Sequence, residues 1–84
     1  MNVSFRPAAW EQCPHWQAHD PALFRKLDRL IEDCLRHPFE GTGKPEPLRG
    51  DHSGFWSRRI DREHRLVYRV NASSLEIVQC RHHY

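Results

Sequence analysis

Asp20-Pro21-Ala22-Leu23-Phe24-Arg25-Lys26-Leu27-Asp28-Arg29-Leu30-Ile31-Glu32-Asp33-Cys34-Leu35-Arg36 is the stretch on which the fold turns. An aspartate followed by proline is a strong helix start: the carboxylate accepts an otherwise orphaned N–H, and proline at the first helical position gives up a donor that had no partner there. Leu23, Phe24, Leu27, Leu30, Ile31, Cys34 and Leu35 then recur at helical spacing on one face. His37-Pro38 closes the helix.

Upstream, Val3-Ser4-Phe5 alternates as a short strand does. Pro7 suits the first turn of another helix, with Trp10, Cys13 and Trp16 or Gln17 as its apolar stripe. Pro14 sits badly inside that helix and is expected to kink or end it. A hairpin of the two helices around His19-Asp20-Pro21 follows. Downstream, residues 38–54 hold three prolines and four glycines. They read as an irregular basic loop with one short strand near Leu48. Phe55–Ile60, Arg65–Val70 and Leu75–Arg81 read as strands, separated by turns at Asp61–His64 and Asn71–Ser74. The order β-α-α-β-β-β defines an α+β fold, an antiparallel sheet with two helices packed on one face. The 84 residues are enough for one domain, residues 1–84, and no repeat, linker or low-complexity tract appears.

With 38% hydrophobic and 29% charged residues, the chain has the composition of an ordinary soluble protein rather than a disordered one. No apolar run approaches the roughly 20 residues a membrane span needs, and the N-terminus lacks an apolar signal core, so the cytoplasm is the expected location. Cys13, Cys34 and Cys80 are odd in number and widely spaced. They are expected to be reduced core residues rather than a disulfide framework.

The net charge of +2 is unevenly placed. Residues 1–43 carry five Arg/Lys against six acids, and residues 44–84 carry eight against five, seven of the eight being arginine. Arginine forks onto phosphate and stacks on bases, which points the second half at a phosphate-bearing partner; solvated strand arginines fit the same numbers.

Three polar clusters could carry chemistry. Glu46 stands between Pro45 and Pro47, which restrict its backbone to extended conformers. That is a good mount for a base with one direction, and equally the description of a surface glutamate in a turn. Arg58 and Arg59 share a strand and point to opposite faces, with His64-Arg65 opening the next strand. Arg81-His82-His83-Tyr84 ends the chain in three ring side chains, two of them titrating near neutrality. Cys80 and His82 could begin a metal site, but no third and fourth ligands stand at a recognisable spacing. Carboxylate, arginines and histidine together are the equipment of metal-free RNA cleavage. There a base deprotonates the 2′-hydroxyl, cations stabilise the phosphorane and an acid protonates the leaving 5′-oxygen.

Four motifs occur in order: Pro38-Phe39-Glu40-Gly41-x-Gly43-Lys44-Pro45-Glu46-Pro47-Leu48, Ser53-Gly54-Phe55-Trp56-Ser57-Arg58-Arg59-Ile60, Glu63-His64-Arg65-Leu66-Val67-Tyr68, and Cys80-Arg81-x-His83-Tyr84. With Trp10-Glu11 and Trp16-Gln17 they make the chain resemble the YoeB toxins of the RelE/ParE superfamily over nearly its whole length. The resemblance implies a microbial-ribonuclease (RelE-like) fold and a ribosome-dependent endoribonuclease, the toxin of a type II toxin–antitoxin system, that cuts mRNA in the ribosomal A site. It implies Glu46 as general base, His83 as general acid, Arg65 as stabiliser of the phosphorane and Tyr84 as orienter of substrate or leaving group, with Lys44, Arg49 and Arg59 holding phosphate. No cofactor and no metal are expected. The implied partners are a YefM-type antitoxin, the ribosome with its mRNA, and a second copy in a homodimer, with DNA reached only through the antitoxin complex. His82 in place of the usual tyrosine, Arg49 where lysine is common, and Cys13-Pro14 in the first helix depart from the family pattern. A non-catalytic gyrase-poison relative and a plain RNA-binding module are the competing readings.

Overall fold

Asp20 caps the central helix as its sequence predicts. Its Oδ1 accepts from the Leu23 N–H at 3.1 Å, and Pro21 occupies the first turn. In the computed structural model, which describes residues 1–82, this helix is α2, Pro21–Arg36. Its apolar face buries Leu23, Leu27, Leu30 and Cys34, while Phe24, Ile31 and Leu35 pack partly buried beside them. His37 caps the C-terminal end, its N–H donating to the Asp33 carbonyl.

The preceding helix α1 runs Pro7–His19 and contains Pro14. Proline here did not end the helix as expected. Its ring removes one hydrogen bond, and burial of Ala9, Cys13 and Trp16 on the flanking turns holds the helix against the core. Trp10, expected in the apolar stripe, is 66% exposed instead, its ring meeting Phe5 edge-on at 5.9 Å.

Five strands form one sheet in the order β1-β5-β4-β3-β2: β1 Asn2–Phe5, β2 Glu46–Pro47, β3 Trp56–Arg59, β4 Arg65–Val70 and β5 Ser74–Gln79. Strands β2 to β5 pair antiparallel, as expected. Strand β1 pairs parallel with β5, Val3 opposite Leu75 and Phe5 opposite Ile77, so the sheet is mixed. Alternation along each strand puts Leu66, Tyr68, Leu75 and Ile77 on the helix side, all fully buried with Ile60 and Cys80. Val67 pairs with Gln79 and Tyr68 with Ile77, so β5 carries one extra residue, a bulge, just before its end.

The cysteine expectation is corrected. Cys13 on α1 and Cys80 after β5 form a disulfide, Cα atoms 6.2 Å apart, across 67 residues of sequence. Only Cys34 is free, and it is buried; burial pushes its thiol up to about 11. Packing of α1 on the end of β5 makes the pair, and no linear spacing encodes that contact.

Candidate active site on the open face of the sheet

Register assigns the sheet's other face. Glu46 on β2 stands opposite Ser57 on β3, Arg59 opposite Arg65 on β4, and Ser57 opposite Val67, which in turn pairs with Gln79 on β5. Directly paired residues share a face, and so do residues two apart on one strand. Glu46, Arg59 and Arg65 therefore stand on one face across three adjacent strands, the face opposite the helices. Glu46 and Arg59 are exposed and Arg65 is half-buried.

Arg58, one residue from Arg59, points the other way and has no exposed surface. Its Nε donates to Tyr68 Oη at 3.1 Å, and its Nη1 meets the Asp33 carboxylate at 2.5 Å and the Thr42 carbonyl at 3.2 Å. Its Nη2 donates to the carbonyls of His37 and Glu40. One buried cation thus fastens α2 to the 37–42 loop that leads to Glu46. The Arg58 guanidinium holds the Asp33 carboxyl below the usual carboxylate range, aided by the Thr42 N–H. Tyr68, whose hydroxyl donates to the Pro38 carbonyl, is pushed up to about 12 by burial, against the Arg58 hydrogen bond.

Gly43 completes the mount. Its φ of +79° is a left-handed conformation, and a Cβ there would come 3.0 Å from the Arg59 carbonyl and 2.9 Å from Leu30. Lys44 follows, also left-handed with φ +51°, and is exposed. The Gly43 carbonyl accepts from the Arg59 N–H at 2.6 Å, which sets the chain alongside β3 before Pro45 and Glu46. Arg49 lies exposed beyond β2, in an open depression with Glu46, Pro47 and Leu48.

Arg65 is held at the β3–β4 turn. Its Nη1 donates to the carbonyls of Asp61 at 2.8 Å and His64 at 3.1 Å. Asp61 Oδ1 accepts from the N–H groups of Glu63 and His64. Burial alone would raise the Asp61 carboxyl, but those donors outweigh it and leave it lowered. Lys26, Arg59, Asp61, Arg62 and Arg65 line one open cleft, four cations around one carboxylate. A cleft of that sign attracts polyanions.

His83 and Tyr84 lie outside the described residues. The Trp16 indole N–H donates to the Cys80 carbonyl at 2.8 Å, and the Cys80 N–H donates to Gln12 Oε1 at 2.9 Å. The Arg65 N–H donates to the His82 carbonyl at 3.0 Å. The chain entering His83 is therefore tied to the first residue of β4. Glu63, His64 and His82 bring ligand-type atoms within 4.8 Å of one another. Nδ1 of His64, however, accepts the His82 N–H at 2.8 Å, so Nε2 carries the ring proton and that ring has no free lone pair. Cys80, the other candidate ligand, is taken by the disulfide.

Two helices on one face of a small mixed sheet, with an acidic residue and arginines on the other, define a RelE-like toxin fold. The chain belongs to the family of YoeB-like toxins of bacterial type II toxin–antitoxin systems, whose family pattern matches residues 5–84. It is 51% identical to the toxin YoeB of Streptomyces coelicolor, with the whole of both chains covered. Its fold matches a YoeB/ParE toxin from Agrobacterium tumefaciens at a TM-score of 0.97 and 48% identity, again over the full length of both. The Staphylococcus aureus YoeB, solved as a dimer and in a heterotetrameric YoeB–YefM complex, is 39% identical at TM-scores of 0.93 and 0.92, covering all of this chain and 98% of that one.

Proposed function

We propose that this toxin is a ribosome-dependent endoribonuclease that cuts mRNA in the ribosomal A site. The observation that carries the reading is that strand register puts Glu46, Arg59 and Arg65 on one side of the sheet, with the Arg65 N–H bound to the carbonyl of His82, the residue before His83. Glu46 takes the proton of the 2′-hydroxyl. The 2′-oxygen attacks phosphorus, Arg65 stabilises the charge gathering on the phosphorane, and His83 protonates the 5′-oxygen as the P–O5′ bond breaks. A 2′,3′-cyclic phosphate and a 5′-hydroxyl result, with no cofactor in the cycle. Tyr84 orients substrate or leaving group, and Lys44, Arg49 and Arg59 hold flanking phosphates. DNA, without a 2′-hydroxyl, is spared.

The partners are a YefM-type antitoxin, the ribosome and a second copy of the chain. The antitoxin and the dimer are supported by the complexes of the Staphylococcus aureus relative. The cytoplasm is the place where these partners meet. No helix of the described residues is long and apolar enough to cross a membrane.

Primer extension on an mRNA held in translating ribosomes, beside the same mRNA alone, tests the reading. The expected result is a new 3′ end inside the A-site codon, with ribosomes only, weakened about 10²–10⁴-fold by Glu46→Ala or His83→Gln. Equal cleavage of naked RNA overturns the ribosome dependence. No cleavage by the folded protein in either sample overturns the enzyme and favours a binding role.

A further inference from the structure

We propose that His64 is a positioning residue for catalysis: its neutral ring, accepting the backbone N–H of His82, aims the C-terminal segment that carries His83. The inference rests on the nuclease reading above and deepens it.

Residue 82 is held against an unfavourable backbone state. Its φ is +64°, a left-handed conformation that a side chain larger than glycine adopts only where the surroundings impose it. Three contacts impose it here. The His82 N–H donates to His64 Nδ1 at 2.8 Å. The His82 carbonyl accepts from the Arg65 N–H at 3.0 Å and from the Gln79 side-chain amide at 3.2 Å. Both flanks of the peptide are thus tied to consecutive residues, His64 and Arg65, and the second is itself a proposed member of the catalytic set. These contacts fix the backbone of His82, the residue that precedes His83.

The His64 ring is built into its place. The residue is 7% exposed, and the Trp16 indole meets it edge-on at 4.5 Å. Glu63 Oε2 lies 3.6 Å from Nε2, where the ring proton must sit once Nδ1 accepts. Trp16 also bonds the Cys80 carbonyl, so the same indole that seats His64 secures the end of β5. A buried histidine whose acceptor nitrogen serves a backbone N–H, two residues from the chain end that supplies the acid, is a device for alignment rather than for solubility. Small misplacements of a catalytic group are costly, about 10²-fold for an ångström.

The geometry separates two near-isosteric replacements. The amide oxygen of asparagine falls near the Nδ1 position and can accept the His82 N–H; that of glutamine falls near Nε2 and cannot. In the ribosome cleavage assay, His64→Asn is expected to keep kcat within about threefold of wild type. His64→Gln is expected to lose about 10²-fold in kcat with KM little changed. The double variant His64→Gln/His83→Gln is expected to cut no worse than His83→Gln alone, because both changes remove the same aligned acid. Full activity of His64→Gln, or losses that multiply in the double variant, overturns the proposal. Far-UV circular dichroism of each variant tells misfolding from misalignment. Ring 15N chemical shifts of the wild-type protein give a check independent of any variant: His64 must show a proton on Nε2 and a bare Nδ1, and the opposite tautomer overturns the contact. If the wild-type toxin itself cuts nothing, the nuclease reading fails and the catalytic role of His64 with it, while the tautomer still decides whether the clamp exists.

Discussion

Arg58 loses all of its solvent contact, while Arg59, its neighbour, keeps an exposed side chain over the cationic cleft. One is a structural cation with five hydrogen bonds to α2, Tyr68 and the following loop, and the other is exposed. Removing the buried guanidinium takes the donor from the Tyr68 hydroxyl and from the carbonyls of His37, Glu40 and Thr42, and leaving buried acceptors unpaired costs about 1–3 kcal/mol. Arg58→Ala is therefore expected to lower stability by about that amount in urea titration, and Arg59→Ala to leave it within about 0.5 kcal/mol. The cysteines are decided at the same scale. Without reductant, unfolded protein is expected to present one thiol per chain to a thiol reagent, Cys34, and three after reduction. A disulfide closing a loop of this length stabilises by about 4 kcal/mol in the chain-entropy account. A count of three thiols without reductant would refute the pairing.

At the scale of the element, the 37–47 segment is a mount with two fasteners, the Arg58–Asp33 pair and Gly43. Because the Asp33 carboxyl is held below its ordinary value, its contribution is fully present above the ordinary carboxylate range of about 4 and is lost as pH falls through the lowered value. Urea midpoints measured from pH 7 down to pH 2 are expected to show Asp33→Asn less stable than wild type at neutral pH, with the gap closing in acid. A gap constant with pH would mean that the carboxylate charge is not what holds the loop. In helix α1, Pro14 was expected to kink or end the helix; the helix continues past it to His19, with Cys13 and Trp16 buried on either side.

For the whole molecule the charge asymmetry acquires a shape. The basic second half of the chain supplies β2 to β5, and Lys26 from α2 joins Arg59, Arg62 and Arg65 along one cleft. Binding to RNA through such a surface releases counterions, so affinity falls steeply with salt. Ribosome binding measured from 50 to 300 mM salt is expected to show a log–log slope that drops by about one for Arg59→Ala. An unchanged slope would remove Arg59 from the phosphate contacts.

The residues themselves determined most of the elements and marked the candidate site. Asp20-Pro21 and the apolar stripe of α2 specify a helix through capping and 3.6-residue periodicity, both local effects. Alternation along β3 was enough to send Arg58 and Arg59 to opposite faces, and the motifs around Glu46, Arg65 and His83 were legible as the marks of one family. Only the tertiary structure decided which of the two arginines is buried, that β1 joins β5 in parallel, that Cys13 meets Cys80, and that the His64 ring accepts the His82 N–H. The sequence motif offered His64 merely as a neighbour of Arg65. Each of these outcomes joins residues that are far apart along the chain, between 10 and 72 positions, and such contacts depend on how packed faces align rather than on any periodicity within one element.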